Sequence, residues 1–369
     1  MSHAGRPVLH TEASIGFGGQ EIRIVAEARW LLDHDWPVVI AGQPDSRLLQ
    51  EGARLGVPTV AVRMRRPLDA GALLALRRVI DEHDVALVHT HSSVDSWLGG
   101  LAGRWRRRPV VRSRHVTIAI PRHRALVYRL ADRIISSGEA AARVVAAAGV
   151  PPARIVPIAP GVDTARFHPA VSGAGVRGEL GLEGTPLVGL VANIRGSKGH
   201  DIFLEAARAV LGREPAARFL IVGDGIGFED VRRRVGALGL DAAVRMTGFR
   251  RDIPEVMAAL DVLVLPSVRS EAASQVIAQA LAVGTPVVAT NVGGSGELVR
   301  DGETGRLVPA GDATVLAAAI VDCLGDRLAA RAMARRGQAL VRERHSLDAA
   351  MTRTTAVYRE LLSRSRVVP

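Results

Sequence analysis

Short apolar runs recur along the chain, and most are followed by a stretch in which apolar positions return at helical spacing. Runs at 8–11, 37–41, 59–62, 86–90, 110–112, 133–136 and 154–157 read as strands of the first half, and those at 188–192, 218–222, 244–247, 262–266 and 286–289 as strands of the second. Strand followed by helix, repeated end to end, predicts an α/β fold with parallel sheets covered on both faces. The alternation halts at IAPGVDTARFHPAVSGAGV, rich in proline and glycine, which places a linker at about 159–175. The pattern therefore predicts two doubly wound domains, 1–165 and 176–345, and a final segment, 346–369, whose helical stretch 349–363 returns to brace the first domain. Ligands of such sheets bind beyond the carboxyl ends of the strands, so the loops there, and a cleft between the domains, are expected to carry the site.

One of those loops holds the only lysine of the chain, Lys198, against 47 arginines. A compact ammonium kept where every other cation is a guanidinium marks the loop NIRGSKGHD for chemistry. The loop joins the strand at 188–192 to a helix, so Arg195, Lys198 and the amides near Gly196 and Gly199 are placed to hold a phosphate or diphosphate; a solvent-exposed lysine is the plain alternative. The segment LPSVRSEAASQVIAQAL offers a second loop of this kind. Glu271 precedes a helix that starts near Ser274, Gln279 lies in its second turn, and the amides of Ser274, Gln275 and Val276 are open to an anion. A helix-dipole partner at Glu271 and a solvated Gln279 form the competing reading.

Composition narrows the class. With 48% hydrophobic residues the chain is not disordered, and it has neither a charged-then-apolar leader nor an apolar run long enough to span a bilayer, so a cytoplasmic protein is expected. The single cysteine, Cys323, sits in a helical pattern as a small apolar group. Net charge is +11, and residues 1–168 carry 23 arginines against 15 carboxylates. Arg104, Arg106, Arg107, Arg108, Arg112 and Arg114 crowd around Trp105, a density suited to an anionic membrane surface, to a phosphorylated acceptor, or simply to a solvated face. Nucleic acid is disfavoured: aromatics are 3% and no nucleic-acid motif accompanies the charges.

In the first half, Gly18 and Gly19 stand between the first strand and its helix, where a ligand can approach closely or the chain simply turns tightly. His89, His91, Ser92, Ser93 and Asp95 follow the fourth strand, and His115 the fifth. Contact with an acceptor and packing at a strand end both fit these histidines. Asp33-His34-Asp35 resembles a metal-binding pair of carboxylates, but it falls at a helix-to-strand turn on the wrong edge of the sheet, and no metal or other cofactor is expected.

The motifs GGQE, VHTHSS, VRSRH, PGVDTARFHP, NIRGSKGHD, IVGDG, TGFRRDIPEVMAALDVLVLPS and the stretch around Glu271, taken in this order, resemble retaining glycosyltransferase family 4 over nearly the whole chain. The resemblance implies the GT-B fold of two Rossmann-like domains facing across a cleft, with a nucleotide-sugar donor on the carboxyl-terminal domain and a saccharide or lipid-linked saccharide acceptor on the amino-terminal one. Glu271 matches the first glutamate of the family's Glu-x7-Glu motif, which holds donor-sugar hydroxyls, and Lys198 matches its diphosphate lysine. His115 matches the histidine over the donor sugar. The donor set implied is Gly19, Arg195, Lys198, Arg250, Glu271, Ser274, Gln275, Val276 and Gln279; the acceptor set is Gly18, His91 and Ser92. Departures are Gln279 in place of the ribose-binding glutamate, Asn193 in place of an arginine for which Arg195 stands in, and Ala272 and Ser274 in place of glycines.

The resemblance further implies a metal-independent transfer with retention, in which Arg195 and Lys198 stabilise the departing diphosphate while Glu271 and His115 fix the sugar. Surface polysaccharide or lipopolysaccharide synthesis, on or near the inner face of a membrane, is the setting it suggests. A nucleotide-sugar epimerase and a noncatalytic nucleotide-sugar sensor share the fold and stay open; a pyridoxal-phosphate phosphorylase, using Lys198 as a Schiff base, is disfavoured by the chain's length.

Overall fold

The computed structural model describes residues 5–364, so the ends of the predicted 1–165 and 346–369 segments lie outside the described residues. Two compact units result, one running to Gly161 and resumed from Leu347, the other Val162–Ser346.

In the first unit, β1 (Val8–Glu12), β2 (Val38–Gly42), β3 (Thr59–Ala61), β4 (Leu87–Thr90), β5 (Val110–Arg114), β6 (Arg133–Ser136) and β7 (Ile155–Pro157) form one parallel sheet in the order β3-β2-β1-β4-β5-β6-β7. In the second, β8 (Leu187–Val191), β9 (Arg218–Val222), β10 (Val244–Gly248), β11 (Val262–Leu265), β12 (Val287–Thr290) and β13 (Arg306–Val308) are ordered β10-β9-β8-β11-β12-β13, again all parallel. Both units are doubly wound. Strand order reverses between β1 and β4 in one and between β8 and β11 in the other, and a crevice opens at each reversal because the adjoining loops leave in opposite directions.

Burial explains the apolar runs. Leu187 to Val191 are buried throughout, with Val188 and Leu190 in one core and Leu187 and Val191 in the other, so alternate side chains feed the two faces. β13 has no such signature in the sequence: its three residues RLV are two half-buried and one buried. The helix Leu347–Arg364 packs in the first unit, burying Met351, Tyr358 and Leu361 with Val8, Leu31 and Ile40. Polar contacts fasten it there, from Trp30 to Asp348, Arg133 to Glu360, and Arg353 to the carbonyl of Pro157.

In the arginine-rich stretch Arg104, Arg106 and Arg107 are exposed, but several of its charges are paired or buried. Arg104 pairs with Asp132, Arg106 with Asp81, and Arg108, together with Arg6, with Asp84. Arg112 is buried beneath the Tyr128 ring, 3.9 Å from its centroid, and Arg114 donates to the carbonyls of Val116 and Ile118. Among the described residues no helix is long and apolar enough to cross a membrane.

Candidate functional site

The β8/β11 reversal brings Lys198 and Glu271 together. The chain leaves β8 and makes a single 3₁₀ turn, Gly196–Lys198, closed by the Lys198 amide donating to the Arg195 carbonyl. Gly199 then takes φ +70°, with its α-carbon pressed so close to the Pro266 carbonyl that an added Cβ would lie 1.9 Å from that oxygen. No other residue type fits there. The Val268 amide donates to the Ser197 carbonyl at 3.0 Å, joining the loops after β8 and β11.

Across this seam Lys198 Nζ lies 2.7 Å from Glu271 Oε2, with the two side chains 14% and 9% exposed. Ser267, fully buried, donates its hydroxyl to the same Oε2 at 2.8 Å. The loop after β12 supports the glutamate from behind: the Gly294 amide donates to the Glu271 carbonyl at 2.9 Å, and Gly293, φ +59°, abuts the same carbonyl. An ion pair this enclosed is costly to desolvate and strong once formed, so each partner requires the other.

Three residues on, the helix Gln275–Val283 begins at the buried Ser274, whose side chain makes no cap. Its first amides, those of Gln275 and Val276, lack the usual hydroxyl acceptor and sit at the positive end of the helix dipole. Gln279 lies one turn further along, half-buried. Arg195 and Asn193 are exposed on the turn before Lys198, so Arg195 borders the site without joining the ion pair, and Asn193 Oδ1 is stacked against Gly225 of the loop after β9. Arg250 is committed elsewhere: its guanidinium donates to both oxygens of Glu179 and to Asp252, and these carboxylates push its pKa upward.

In the first unit the β1/β4 reversal is occupied by a buried histidine stack. His10 Nδ1 lies 2.9 Å from His91 Nε2, and His91 Nδ1 lies 3.1 Å from His115 Nε2, the rings stacked at 16° and 23°. His115, half-buried, completes its bonding through Nδ1 with Ser137 Oγ at 3.5 Å, and that hydroxyl takes a bond from the buried Arg23. His89 is held by Tyr358 and Ser113 at 2.6 and 2.8 Å. His10, His89 and His91 have nitrogens close enough together to ligate one metal ion, but among the described residues five of their six ring nitrogens are already hydrogen-bonded, leaving His10 Nε2. The donor set is therefore spent on the stack. Burial, with help from the Arg23 charge, drives His10 down to about 3 and holds His89, His91 and His115 well below the ordinary histidine range. They are neutral bases.

His91 is thus behind His115, and only His115 is half-open. Ser92 caps the helix Ser93–Trp105, its amide and hydroxyl donating to Asp95. Gly18 does the same for the helix Gly19–Asp33, its amide donating to Glu21 at 2.8 Å. Beneath these caps Glu12 is raised to about 8 by burial and the neighbouring Asp95, itself raised to about 6 by burial. His10, Arg23, Ser267 and Gly293 carry no distinguishing signal in the sequence. His10 reads there as one more strand residue, and Ser267 as loop polarity; only the register and the backbone approach reveal them.

Comparison with known proteins matches this division. Residues 17–166 match the family model described as Glycosyltransferase Family 4, and residues 185–326 that described as Glycosyl transferases group 1. A GDP-mannose-dependent alpha-(1-6)-phosphatidylinositol monomannoside mannosyltransferase of Mycolicibacterium smegmatis is 32% identical over 293 residues, 75% of this chain and 74% of that protein. A D-inositol 3-phosphate glycosyltransferase of Nocardia farcinica is 35% identical over 286 residues, 69% of this chain and 62% of that protein. Across further relatives the chain spans 49% to 60% of the protein matched. Among solved structures, Anabaena Alr3699/HepE in complex with UDP-glucose superposes with a TM-score of 0.85 at 23% identity, covering 96% of this chain and 99% of that one, a likeness of fold. With two Rossmann-like units of this topology, both family matches, and a relative aligned over 74% of its length, the chain belongs to glycosyltransferase family 4.

Proposed function

We propose that the protein transfers a sugar from a nucleotide-diphosphate sugar to a saccharide or lipid-linked saccharide hydroxyl, with retention of anomeric configuration. The observation that carries this reading is the Lys198–Glu271 pair at the strand-order reversal of the second unit, beside an uncapped helix start. A diphosphate arriving there supplies the lysine with a new anionic partner, and Glu271 is released to accept from sugar hydroxyls. Lys198, Arg195 and the amides of Gln275 and Val276 then offset charge on the departing diphosphate, electrostatics of the kind that lowers a barrier most where water is excluded. Gln279 accepts from the ribose through its amide oxygen, without the strength of a charged acceptor.

The first unit holds the acceptor, His115 serves there as a neutral base, and the departing phosphate takes the acceptor proton. Family members generally act without a metal, and a metal-independent transfer is the reading here too. Surface-polysaccharide or lipopolysaccharide synthesis is the proposed setting, at the inner face of a membrane. Because one relative is named for GDP-mannose, that donor heads the screen. A thermal-shift panel of guanosine, uridine and adenosine diphosphate sugars tests the donor claim: a ligand at 100 times its Kd raises stability by about 2.7 kcal/mol. Stabilisation by one base, lost in Glu271→Ala, is expected. Stabilisation without turnover in the presence of acceptor extracts points instead to a sensor.

A further inference from the structure

Two groups of arginines in the first unit differ in how they are partnered. Those at the amino edge of the sheet, Arg6, Arg104, Arg106 and Arg108, are ion-paired with Asp84, Asp132 and Asp81. Arg63 and Arg65 follow β3 at the opposite, carboxyl edge; both are exposed, and among the described residues neither is in an ion pair with a carboxylate. Both line a cavity of about 550 Å³.

This cavity is built, not incidental. Gln43, on the loop after β2, donates through Nε2 to the carbonyls of Ala13 and Met64 at 3.0 and 2.6 Å and accepts from the Met64 amide at 3.2 Å. One side chain thereby fixes the loops after β1 and β3 to its own. Met64 is buried, which turns its neighbours Arg63 and Arg65 outward together, at positions two apart on an extended segment. Ile15, 77% exposed, and Val94 supply an apolar wall, and Asp45 is the one acidic side chain among the lining residues. The helices Arg47–Arg54 and Ser93–Trp105 both start at this edge, adding the positive ends of their dipoles.

We propose that this cavity is the subsite for a phosphate ester carried by the acceptor, gripped by the Arg63 and Arg65 guanidiniums, with Ile15 and Val94 against its apolar part. Two guanidiniums outweigh the Asp45 carboxylate, and forked donors match phosphate oxygens better than an ammonium does. The inference rests on the proposed transfer only in identifying the ligand as the acceptor; the anion site stands on its own geometry.

The test uses the full chain and the double variant Arg63→Gln, Arg65→Gln, whose exposed positions leave the fold intact, as circular dichroism and Tm verify. Inorganic phosphate and glycerol 3-phosphate are titrated at constant ionic strength, alongside vesicles of phosphatidylglycerol in phosphatidylcholine. Glycerol 3-phosphate is expected to bind the wild type at least 10-fold more tightly than the variant, while binding of nucleoside diphosphate at the second unit is unchanged. Equal affinity of wild type and variant for both soluble phosphates overturns the proposal. So does arginine-dependent binding to vesicles with none to glycerol 3-phosphate, which makes the patch a membrane contact. If the anion arm succeeds and no sugar is transferred, the subsite survives and the transferase reading fails.

Discussion

Lys198 and Glu271 stand 73 residues apart in the chain, yet Nζ and Oε2 are 2.7 Å apart, and the same oxygen accepts from Ser267. Removing either charge strands the other in a nearly enclosed site. Lys198→Ala and Glu271→Ala should each lower stability by about 3 kcal/mol, measured by urea unfolding, and cut turnover by roughly 100-fold or more. Lys198→Arg keeps the charge but not the size, and should recover stability better than turnover. Ser267→Ala should cost about 1 kcal/mol with the ion pair intact.

Glycines after β8 and β12 hold that pair in register. In Gly199→Ala the new methyl meets the Pro266 carbonyl at 1.9 Å, and in Gly293→Ala it meets the Glu271 carbonyl at 1.8 Å, both at positive φ. Either loop must move. Donor affinity by calorimetry should fall at least 10-fold, whereas Gly196→Ala, where an added Cβ has open space, should leave it within about 2-fold.

The histidine stack sets a pH dependence with a definite sign. His10, His89, His91 and His115 have folded-state pKa values below the ordinary 6.5, so the unfolded chain binds more protons as pH falls through 6.5, and stability is lost in that direction. Glu12 and Asp95, raised to about 8 and about 6, act oppositely, since the folded form keeps their protons. With His200 of the second unit, lowered to about 4 by burial, five groups against two leave a net loss of roughly 3 kcal/mol per pH unit between pH 6.5 and 5.5. Urea unfolding at those two values checks it, and His10→Gln should flatten the slope by about 1 kcal/mol per pH unit.

Tyr358 ties the carboxyl-terminal helix to this stack through a 2.6 Å bond to His89 Nδ1, and is fully buried. Tyr358→Phe keeps the ring and strands the imidazole nitrogen. It should destabilise by about 1–3 kcal/mol in chemical denaturation.

Much of the fold is legible in the sequence because buried parallel strands are apolar throughout: 133–136 and 218–222 coincide with β6 and β9, and the doubly wound architecture comes from their alternation with helices. Lys198 and Glu271 are legible because each comes after such a strand. β13 is not, being three residues without a continuous apolar run. The meaning of the arginines is also hidden, since Arg104 and Arg106 are neutralised by Asp132 and Asp81, partners that only the packed chain brings near. His10 and His91 illustrate the same limit: 81 residues separate two rings that share one proton position.

The most direct test of the central claim is turnover of a nucleotide sugar by wild type, Lys198→Ala and Glu271→Ala, measured as nucleoside diphosphate released and with the product's anomeric configuration read by NMR. The account predicts release by the wild type, a retained anomer, and a fall of roughly 100-fold in each variant. Release by the variants at the wild-type rate, or an inverted product, contradicts it.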